Sequence, residues 1–246
     1  LDSRLDHKSV QVLGTPRRLV VRVHGLADRQ PDLEEDQKGP PIAQAFKDGV
    51  PGPAAIGFAK RCGVDPSQLE VRNTPKGECV FASVRTDGQN SVDLLQELIP
   101  AWINGLQGRR FMRWGTGSQR FSRPIRWLLA LKGVDLIPVE IPGADPPVRS
   151  DRFSRGHRLH GDQPLPIDTA EAYDDTLAAA GVIVDRQQRA ALIRSQLDAS
   201  ADQLNGLPDC PESLFEELVD LVESPRLLQG SIAERFLSLP PEVIIT

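Results

Sequence analysis

The stretch Glu78-Cys-Val-Phe-Ala-Ser-Val-Arg85 decides the fold class of this 246-residue chain. Val80, Ala82 and Val84 alternate with other residues and share one face of a strand, because successive side chains of a strand point to opposite faces. The segment Leu69–Arg72 precedes it, and the turn sequence Thr-Pro-Lys-Gly lies between the two. Together these segments predict a pair of strands.

An amphipathic helix is predicted directly after these strands, over Ser91–Leu106. Its leucine and isoleucine residues recur at intervals of three and four, and Pro100 should kink or split it. Further helices are predicted over Ala43–Lys47, Pro53–Cys62, Thr169–Ala180, Arg186–Leu204 and Glu212–Glu223. Strands are predicted over Leu19–Val23 and Val134–Ile141, and Pro124–Leu131 is predicted to form a helix or a strand. The polar segment Gln30–Pro41 is predicted to be a loop. Strands and helices alternate irregularly, so we predict an α+β fold of mixed sheets with packed helices, more helical towards the C-terminus.

The Gly/Pro-rich segment Pro142–Pro147 is the best candidate for a domain boundary. We therefore predict an N-terminal α+β region over residues 1–145 and a second, more helical α+β region over residues 146–246. The chain starts at Leu1 without Met and ends directly after the apolar run Val243-Ile-Ile245. We expect a fragment that is truncated at both ends.

Composition is typical of a soluble globular protein, with 39% apolar and 26% charged residues. No apolar run approaches the roughly 20 residues that a membrane helix needs. The three cysteines, Cys62, Cys79 and Cys210, are too far apart for a CxxC pair and too few for a disulfide scaffold. These features predict a protein of the reducing cytoplasm, without a membrane partner.

The arginine tract, defined here as Arg109–Lys132, is basic although the whole chain has a formal net charge of -5. It holds no Asp or Glu, and its basic residues are Arg109, Arg110, Arg113, Arg120, Arg123, Arg126 and Lys132. Four aromatic residues are interspersed, namely Phe111, Trp114, Phe121 and Trp127. This mixture grips phosphate backbones and stacks on bases, and it also occurs at protein interfaces.

A second basic stretch, Arg149–Arg158, favours a nucleic-acid partner if it lies on the same face as the tract. Its candidate residues are Arg152, Arg155, His157 and Arg158. Two other interpretations stay open. The tract could dock an acidic protein, or it could pair within the chain with the acidic helix predicted over Glu212–Glu223.

Catalytic and metal-binding motifs are lacking. Gly115-Thr-Gly117 resembles the start of a phosphate-binding loop but is more typical of a tight turn. His157 and His160 lack the further ligands that a zinc site needs, so two exposed imidazoles in a polar loop are expected. A hydrolytic or editing role for these histidines has little support, because no nucleophile signature accompanies them. We predict no catalytic residue, no metal site and no cofactor in this chain.

Seven short motifs then identify a family. In order they are Gly14-Thr-Pro-Arg-Arg18, Lys38-Gly-Pro-Pro41, Ala54-Ala-Ile-Gly-Phe-Ala59, Arg110-Phe-Met-Arg-Trp-Gly115, Phe121-Ser-Arg-Pro-Ile-Arg-Trp127, Arg155-Gly-His-Arg158 and Leu239-Pro-Pro-Glu-Val243. With these motifs the chain resembles the N-terminal region of the bacterial glycyl-tRNA synthetase beta subunit. Ser224-Pro225 stands where the family has Trp-Pro, which is a minor departure.

The resemblance implies a non-catalytic accessory subunit of glycine–tRNA ligase, which joins glycine to tRNA(Gly) in an ATP-dependent reaction. The implied assembly is a heterotetramer of two alpha and two beta subunits. In that family the alpha subunit carries the catalytic core and uses ATP and Mg²⁺, and the beta subunit supports tRNA binding and assembly. The basic residues of the tract and of the second stretch are therefore expected to contact either tRNA or the alpha subunit.

Overall fold

The computed structural model describes residues 3–47, 49–75, 77–161, 163–236 and 238–244. Its strands are β1 (Ser9–Thr15), β2 (Arg18–His24), β3 (Leu33–Pro41), β4 (Phe46–Lys47), β5 (Val50–Pro51), β6 (Glu70–Thr74), β7 (Gly77–Thr86), β8 (Met112–Arg113), β9 (Arg120–Phe121), β10 (Leu128–Leu129), β11 (Leu131–Lys132), β12 (Asp135–Leu136), β13 (Ser150–Asp151), β14 (Phe153–Arg155) and β15 (Pro164–Pro166). Its helices are α1 (Ile42–Ala45), α2 (Pro53–Cys62), α3 (Ser91–Gly105), α4 (Tyr173–Ala179), α5 (Arg186–Leu204), α6 (Glu212–Leu221) and α7 (Pro241–Ile244). The predicted α+β class is confirmed, and the long helices of the second half make it more helical towards the C-terminus.

Contacts divide the chain into two compact units. The first comprises Leu1–Lys8 and His24–Leu98, and the second comprises Ser9–Val23 and Ile99–Thr246. This division falls inside α3, whereas the sequence placed a boundary at the Pro142–Pro147 loop. Strands β1 and β2 belong to the second unit although they are far from its helices in sequence, because Leu13 and Val20 pack against Leu177, Val182 and Val184. The division into domains 1–145 and 146–246 stays a prediction.

In the first unit, an antiparallel sheet with the order β3-β7-β6 packs against α2. The core contains Ala55, Phe58 and Cys62 from α2, and Val80 and Ala82 from β7. The face predicted for β7 is therefore the buried one. Helix α2 has the predicted bounds, and it ends where Gly63 adopts a left-handed conformation with a φ of 71°.

The prediction of a loop over Gln30–Pro41 was wrong, because Leu33–Pro41 forms β3 at the edge of this sheet. Most of its side chains are exposed, so the segment lacks the apolar alternation of a half-buried strand. Its pairing with β7 is carried by the backbone, from Leu33 opposite Thr86 to Lys38 opposite Phe81. The helix predicted over Ala43–Lys47 is shorter and is followed directly by β4.

The second unit contains short two-stranded sheets and the helices α4, α5 and α6. Leu177 of α4 packs with Val182 and Val184 in a buried cluster, and Leu13 and Val20 of the first two strands pack against it. Helix α5 has the predicted bounds, because Asp185 caps its first turn by accepting from the backbone N–H groups of residues 187 and 188. Helix α3 continues past Pro100 to Gly105 and is not split.

Only part of the segment Val134–Ile141 is a strand, namely β12, although Ile137, Val139 and Ile141 are buried in alternation as a strand pattern predicts. In the described ranges, no helix combines the length and the apolar character that crossing a membrane requires.

Candidate nucleic-acid interface

The arginine tract contains a short hairpin formed by β8 and β9. In its register, Met112 lies opposite Phe121 and Arg113 lies opposite Arg120. Gly115-Thr-Gly117 forms the turn between the two strands, with a φ of 62° at Gly115. That left-handed conformation is one that glycine adopts without strain. The segment is therefore a tight turn, as predicted.

The Pro142–Pro147 loop holds this turn in place. Backbone N–H groups of Ser118 and Gln119 both donate to the carbonyl oxygen of Gly143, at 2.8 and 3.0 Å. A Cβ atom at Gly117 would lie 2.4 Å from the same oxygen, so the two backbones approach as closely as glycine allows. Thr116 adds a side-chain hydrogen bond to the carboxylate of Asp145. The hairpin tip is thus braced by backbone contacts.

The aromatic residues of the tract are partly buried and support its conformation. Phe111 and Phe121 pack on each other with ring centroids 5.0 Å apart. Trp114 donates its indole N–H to the carbonyl oxygen of Phe121 at 3.0 Å. The guanidinium carbon of Arg17 lies over Trp127, at 5.8 Å from the centroid of the indole ring. Because these rings contact the chain itself, they are less available for base stacking than the sequence suggested.

The arginines of the tract point outwards. Arg109, Arg110, Arg113, Arg120, Arg123 and Arg126 are all exposed. Within the part of the chain that the structure describes, none of these six forms an ion pair. Arg120 donates one hydrogen bond, to the carbonyl oxygen of Phe111 at 3.2 Å. The six charges therefore lack the local carboxylates that would balance them.

Several other exposed arginines of the chain do have carboxylate partners. Arg72 pairs with Glu70 at 2.6 Å, Arg149 with Glu140 at 2.8 Å and Arg194 with Glu212 at 3.3 Å. Arg61, Arg226 and Arg235 are exposed and, like the tract arginines, have no ion pair among the described residues. The tract differs from them in collecting six such arginines in one segment without Asp or Glu.

The acidic helix does not neutralise the tract. Arg186 of α5 binds both Glu216 and Asp220 of α6, with 2.7 Å between Arg186 Nε and Asp220 Oδ1. These contacts hold the pKa of the Asp220 carboxyl below its usual range, mainly through the hydrogen bond from Arg186. The interpretation that α6 pairs with the arginine tract is wrong for the described residues, because its carboxylates pair with the neighbouring helix.

The second basic stretch is built into the fold for most of its length. Arg152 donates to the carbonyl oxygens of Asp168 and Val134, at 3.1 and 3.0 Å. Arg155 is half-buried, and His157 accepts a hydrogen bond at the start of a short 3-10 helix. Arg158 is the exposed candidate of the four. Of the tract arginines, the structure places Arg113 opposite Arg120 across the hairpin. Three residues of the second stretch, Arg152, Arg155 and His157, are partly buried.

A buried polar cluster was missed by the sequence analysis. Glu223 follows α6 and has only 5% of its side chain exposed, where an exposed acidic residue was expected. It lies 3.5 Å from both Arg17 Nη1 and Arg18 Nη2, and Thr15 donates to it at 2.5 Å. Burial lowers the pKa of the Arg18 guanidinium, and the charge of Glu223 opposes this effect. Three residues of this cluster, Thr15, Arg17 and Arg18, belong to the Gly14–Arg18 motif, from which only the family was inferred.

A second buried arginine was also missed. Arg189 lies in the helix predicted over Arg186–Leu204, and only 1% of its surface is exposed. Its guanidinium donates to four carbonyl oxygens, those of Gly14, Ile183, Val184 and Val219, at 2.9–3.1 Å. It therefore joins α5 to β1 and α6.

The described residues contain no group of three or more His, Cys, Asp or Glu side chains that could hold a metal ion. His157 and His160 contact each other edge to face, with ring centroids 5.8 Å apart.

Comparison with known proteins agrees with the motifs. All 246 residues match the sequence model of a family described as glycyl-tRNA synthetase beta subunit. The glycine–tRNA ligase beta subunit of Synechocystis sp. is 46% identical over 242 residues, which cover 98% of this chain and 34% of the relative. The beta subunit of Chromohalobacter salexigens is 38% identical over 245 residues, which cover 100% of this chain and 35% of the relative. The chain thus spans about a third of the length of these curated relatives.

Proposed function

Because the chain belongs to the glycyl-tRNA synthetase beta-subunit family, we propose that it holds tRNA(Gly) within a glycine–tRNA ligase. In this role it binds the phosphate backbone of the tRNA and supports subunit assembly, and it carries no catalytic centre. The attachment of glycine, with ATP and Mg²⁺, takes place on the alpha subunit. The proposed assembly contains two alpha and two beta subunits and works in the cytoplasm.

One observation carries the RNA-binding part of the proposal. The six exposed tract arginines have no ion-pair partner among the described residues, and they lie in one segment that contains no Asp or Glu. Charges of one sign held close together repel each other, and an external polyanion relieves that repulsion. The phosphate backbone supplies several negative charges in a row, and each phosphate neutralised by arginine releases counterions.

The contacts are expected to be made mainly with phosphates. The tract presents guanidinium groups, and its aromatic rings pack internally, so its arrangement suits backbone binding more than stacking on successive bases. Arg109, Arg110, Arg113, Arg120, Arg123, Arg126 and Arg158 are the proposed phosphate contacts. Arg152, Arg155 and His157 are proposed to position the loop that carries Arg158.

Docking of the alpha subunit is the second candidate function, and a specific observation favours it. Trp102, Leu106 and Met112 flank or belong to the tract, and they are 48%, 39% and 51% exposed. Tryptophan, methionine and arginine are enriched at protein interfaces. The same surface could therefore bind a protein partner through an apolar centre and an arginine rim.

The two candidate functions predict different effects of the same substitutions on tRNA binding and on association with the alpha subunit. Replacing Arg113, Arg123 and Arg126 by Ala in the intact protein should weaken binding of tRNA(Gly) and leave its association with the alpha subunit unchanged on a sizing column. If the variant dissociates from the alpha subunit but binds tRNA as tightly as the wild type, the tract is a protein interface.

A further inference from the structure

An open polar pocket lies beside the arginine tract. It has a volume of about 680 Å³ and is lined by the C-terminal end of α3, the segment after it, the β8–β9 hairpin and the Pro142–Pro147 loop. The residues that define its chemistry are Asn104, Gln107, Gly108, Phe111, Gln119 and Arg120. A volume of this size is within the range of small-molecule sites.

The lining suits a planar group that carries both donors and acceptors. Asn104, Gln107 and Gln119 contribute carboxamides, each of which offers an N–H donor and a carbonyl acceptor. No carboxylate lies among the lining residues. Phe111 adds an aromatic ring, and the exposed guanidinium of Arg120 stands at the same pocket. Carboxamides that bind base edges, together with an aromatic ring and an arginine, are the groups that recognise an unstacked nucleotide.

Gln119 has unused hydrogen-bonding capacity. Its Nε2 donates to the carbonyl oxygen of Arg120 over 3.4 Å, which is a long hydrogen bond. Its Oε1 is buried and has no hydrogen-bond partner among the described residues. Leaving a buried polar atom without a partner is unfavourable. Rotation of the Gln119 carboxamide towards the pocket would bring this oxygen to a donor on the ligand, which would then satisfy it. The exocyclic amines of adenine, guanine and cytosine are such donors.

We propose that this pocket receives one unstacked base of the bound RNA, while the arginines beside it hold the flanking phosphates. The inference rests on the proposed RNA-binding function and adds a base-reading site to it. Gln119 and Asn104 contact the base edge, and Arg120 binds the adjoining phosphate. The base also contacts the part of the Phe111 ring that remains exposed beside Phe121. Single-stranded parts of an RNA, such as loops and ends, can supply a base that is free to enter.

The test uses the intact protein and a series of tRNA(Gly) transcripts, each with one abasic nucleotide in a loop or at the 3′ end. For the wild-type protein, one of these transcripts should bind about 5- to 30-fold more weakly than intact tRNA, the equivalent of one bound base. Gln119→Leu should bind intact tRNA more weakly by a similar factor and should not discriminate against that transcript. Asn104→Ala should behave in the same way.

Gln203→Leu is the matched control, because Gln203 is exposed on α5 away from the pocket. It should bind every transcript as the wild type does, and urea unfolding of all variants checks that they are folded. The pocket proposal is overturned if Gln119→Leu keeps full discrimination, or if it lowers the salt dependence of binding as loss of a phosphate contact would. It is also overturned if Gln119→Leu releases the alpha subunit.

The variant with Arg113, Arg123 and Arg126 replaced by Ala distinguishes a failure of the proposed RNA-binding function from a failure of the base-pocket proposal. If this variant binds tRNA as tightly as the wild type, the proposed function is wrong. If it binds weakly and Gln119→Leu behaves as the wild type, only the base pocket is wrong.

Discussion

Arg113 lies directly opposite Arg120 across the two-stranded ladder of β8 and β9. Residues in this relation project from the same face of the hairpin, with Cβ atoms roughly 5 Å apart. Two like charges at this separation destabilise the hairpin. Both side chains are exposed, and neither has an ion-pair partner in the described ranges. An anion bound between the two side chains would relieve this repulsion.

Arg113→Glu should therefore separate stability from function. A glutamate opposite Arg120 converts repulsion into attraction, so the free energy of unfolding should rise by roughly 0.5–1 kcal/mol. The affinity for tRNA should fall, since a phosphate contact is replaced by a negative charge. Urea unfolding and a tRNA-binding titration measure the two effects. Arg110→Glu is the control, because Arg110 precedes the ladder: it should lower the affinity without raising the stability.

Glu223→Gln should destabilise the second compact unit. The carboxylate is buried among Thr15, Arg17 and Arg18, and its removal leaves the charge of Arg18 buried without compensation. Breaking one side of a buried ion pair costs about 3–5 kcal/mol. Urea unfolding should show this loss as a lower midpoint. Glu217→Gln, on the exposed side of α6, should change the stability by less than about 0.5 kcal/mol. Equal effects of the two substitutions would contradict the role given to Glu223.

Arg189→Lys should also be destabilising, although it conserves the charge. The guanidinium reaches four carbonyl oxygens in different directions, and a single ammonium group cannot reach all of them. The loss of two or more charged hydrogen bonds should lower the free energy of unfolding by about 3 kcal/mol. Arg194→Lys, at an exposed position on the same helix, is the control and should have a much smaller effect. A stable Arg189→Lys variant would show that the four contacts contribute little.

The elements that could be predicted from the sequence are those whose burial follows a simple period. Helices α2 and α5 have the predicted bounds, because a left-handed glycine and an Asp cap mark their ends. Strand β3 could not be predicted, since it is polar on both faces and depends on its pairing with β7. Sequence patterns describe one segment at a time, whereas an edge strand is defined by its neighbour.

The candidate site could likewise be predicted only in part from the sequence. The sequence indicated the tract through its charge, and its six arginines are exposed. The buried positions of Arg18, Arg189 and Glu223 were not predicted, because charged residues are normally exposed unless a partner lies nearby. Those partners are far away in sequence, as with Thr15 and Glu223. The internal packing of the aromatic rings was missed for the same reason.

Acidification should weaken the first compact unit through Asp32. Its carboxylate accepts a hydrogen bond from the backbone N–H of Gly88 at 2.9 Å and pairs with Arg85 at 2.5 Å. These contacts, the Gly88 N–H first, hold the pKa of Asp32 below its usual range. The stabilisation is therefore present above a pH of about 4, the pKa of an unfolded Asp, and is lost as the pH falls through the lower folded-state value.

The measurement is urea unfolding of the wild type and of Asp32→Asn over a pH series. The free energy of unfolding of the wild type should exceed that of the variant near neutral pH. The difference should shrink as the pH falls below about 4. A difference that is the same at every pH would show that the charge of Asp32 does not stabilise the fold.

The salt dependence of tRNA binding tests the central claim most directly. The intact wild-type protein is compared with the variant in which Arg113, Arg123 and Arg126 are replaced by Ala. A matched variant carries Ala at Arg72, Arg149 and Arg194, which have carboxylate partners. If each tract arginine neutralises one phosphate, the slope of log K against log salt concentration should fall by about two to three in the tract variant alone. The same slope in all three proteins would contradict the claim that these arginines bind RNA.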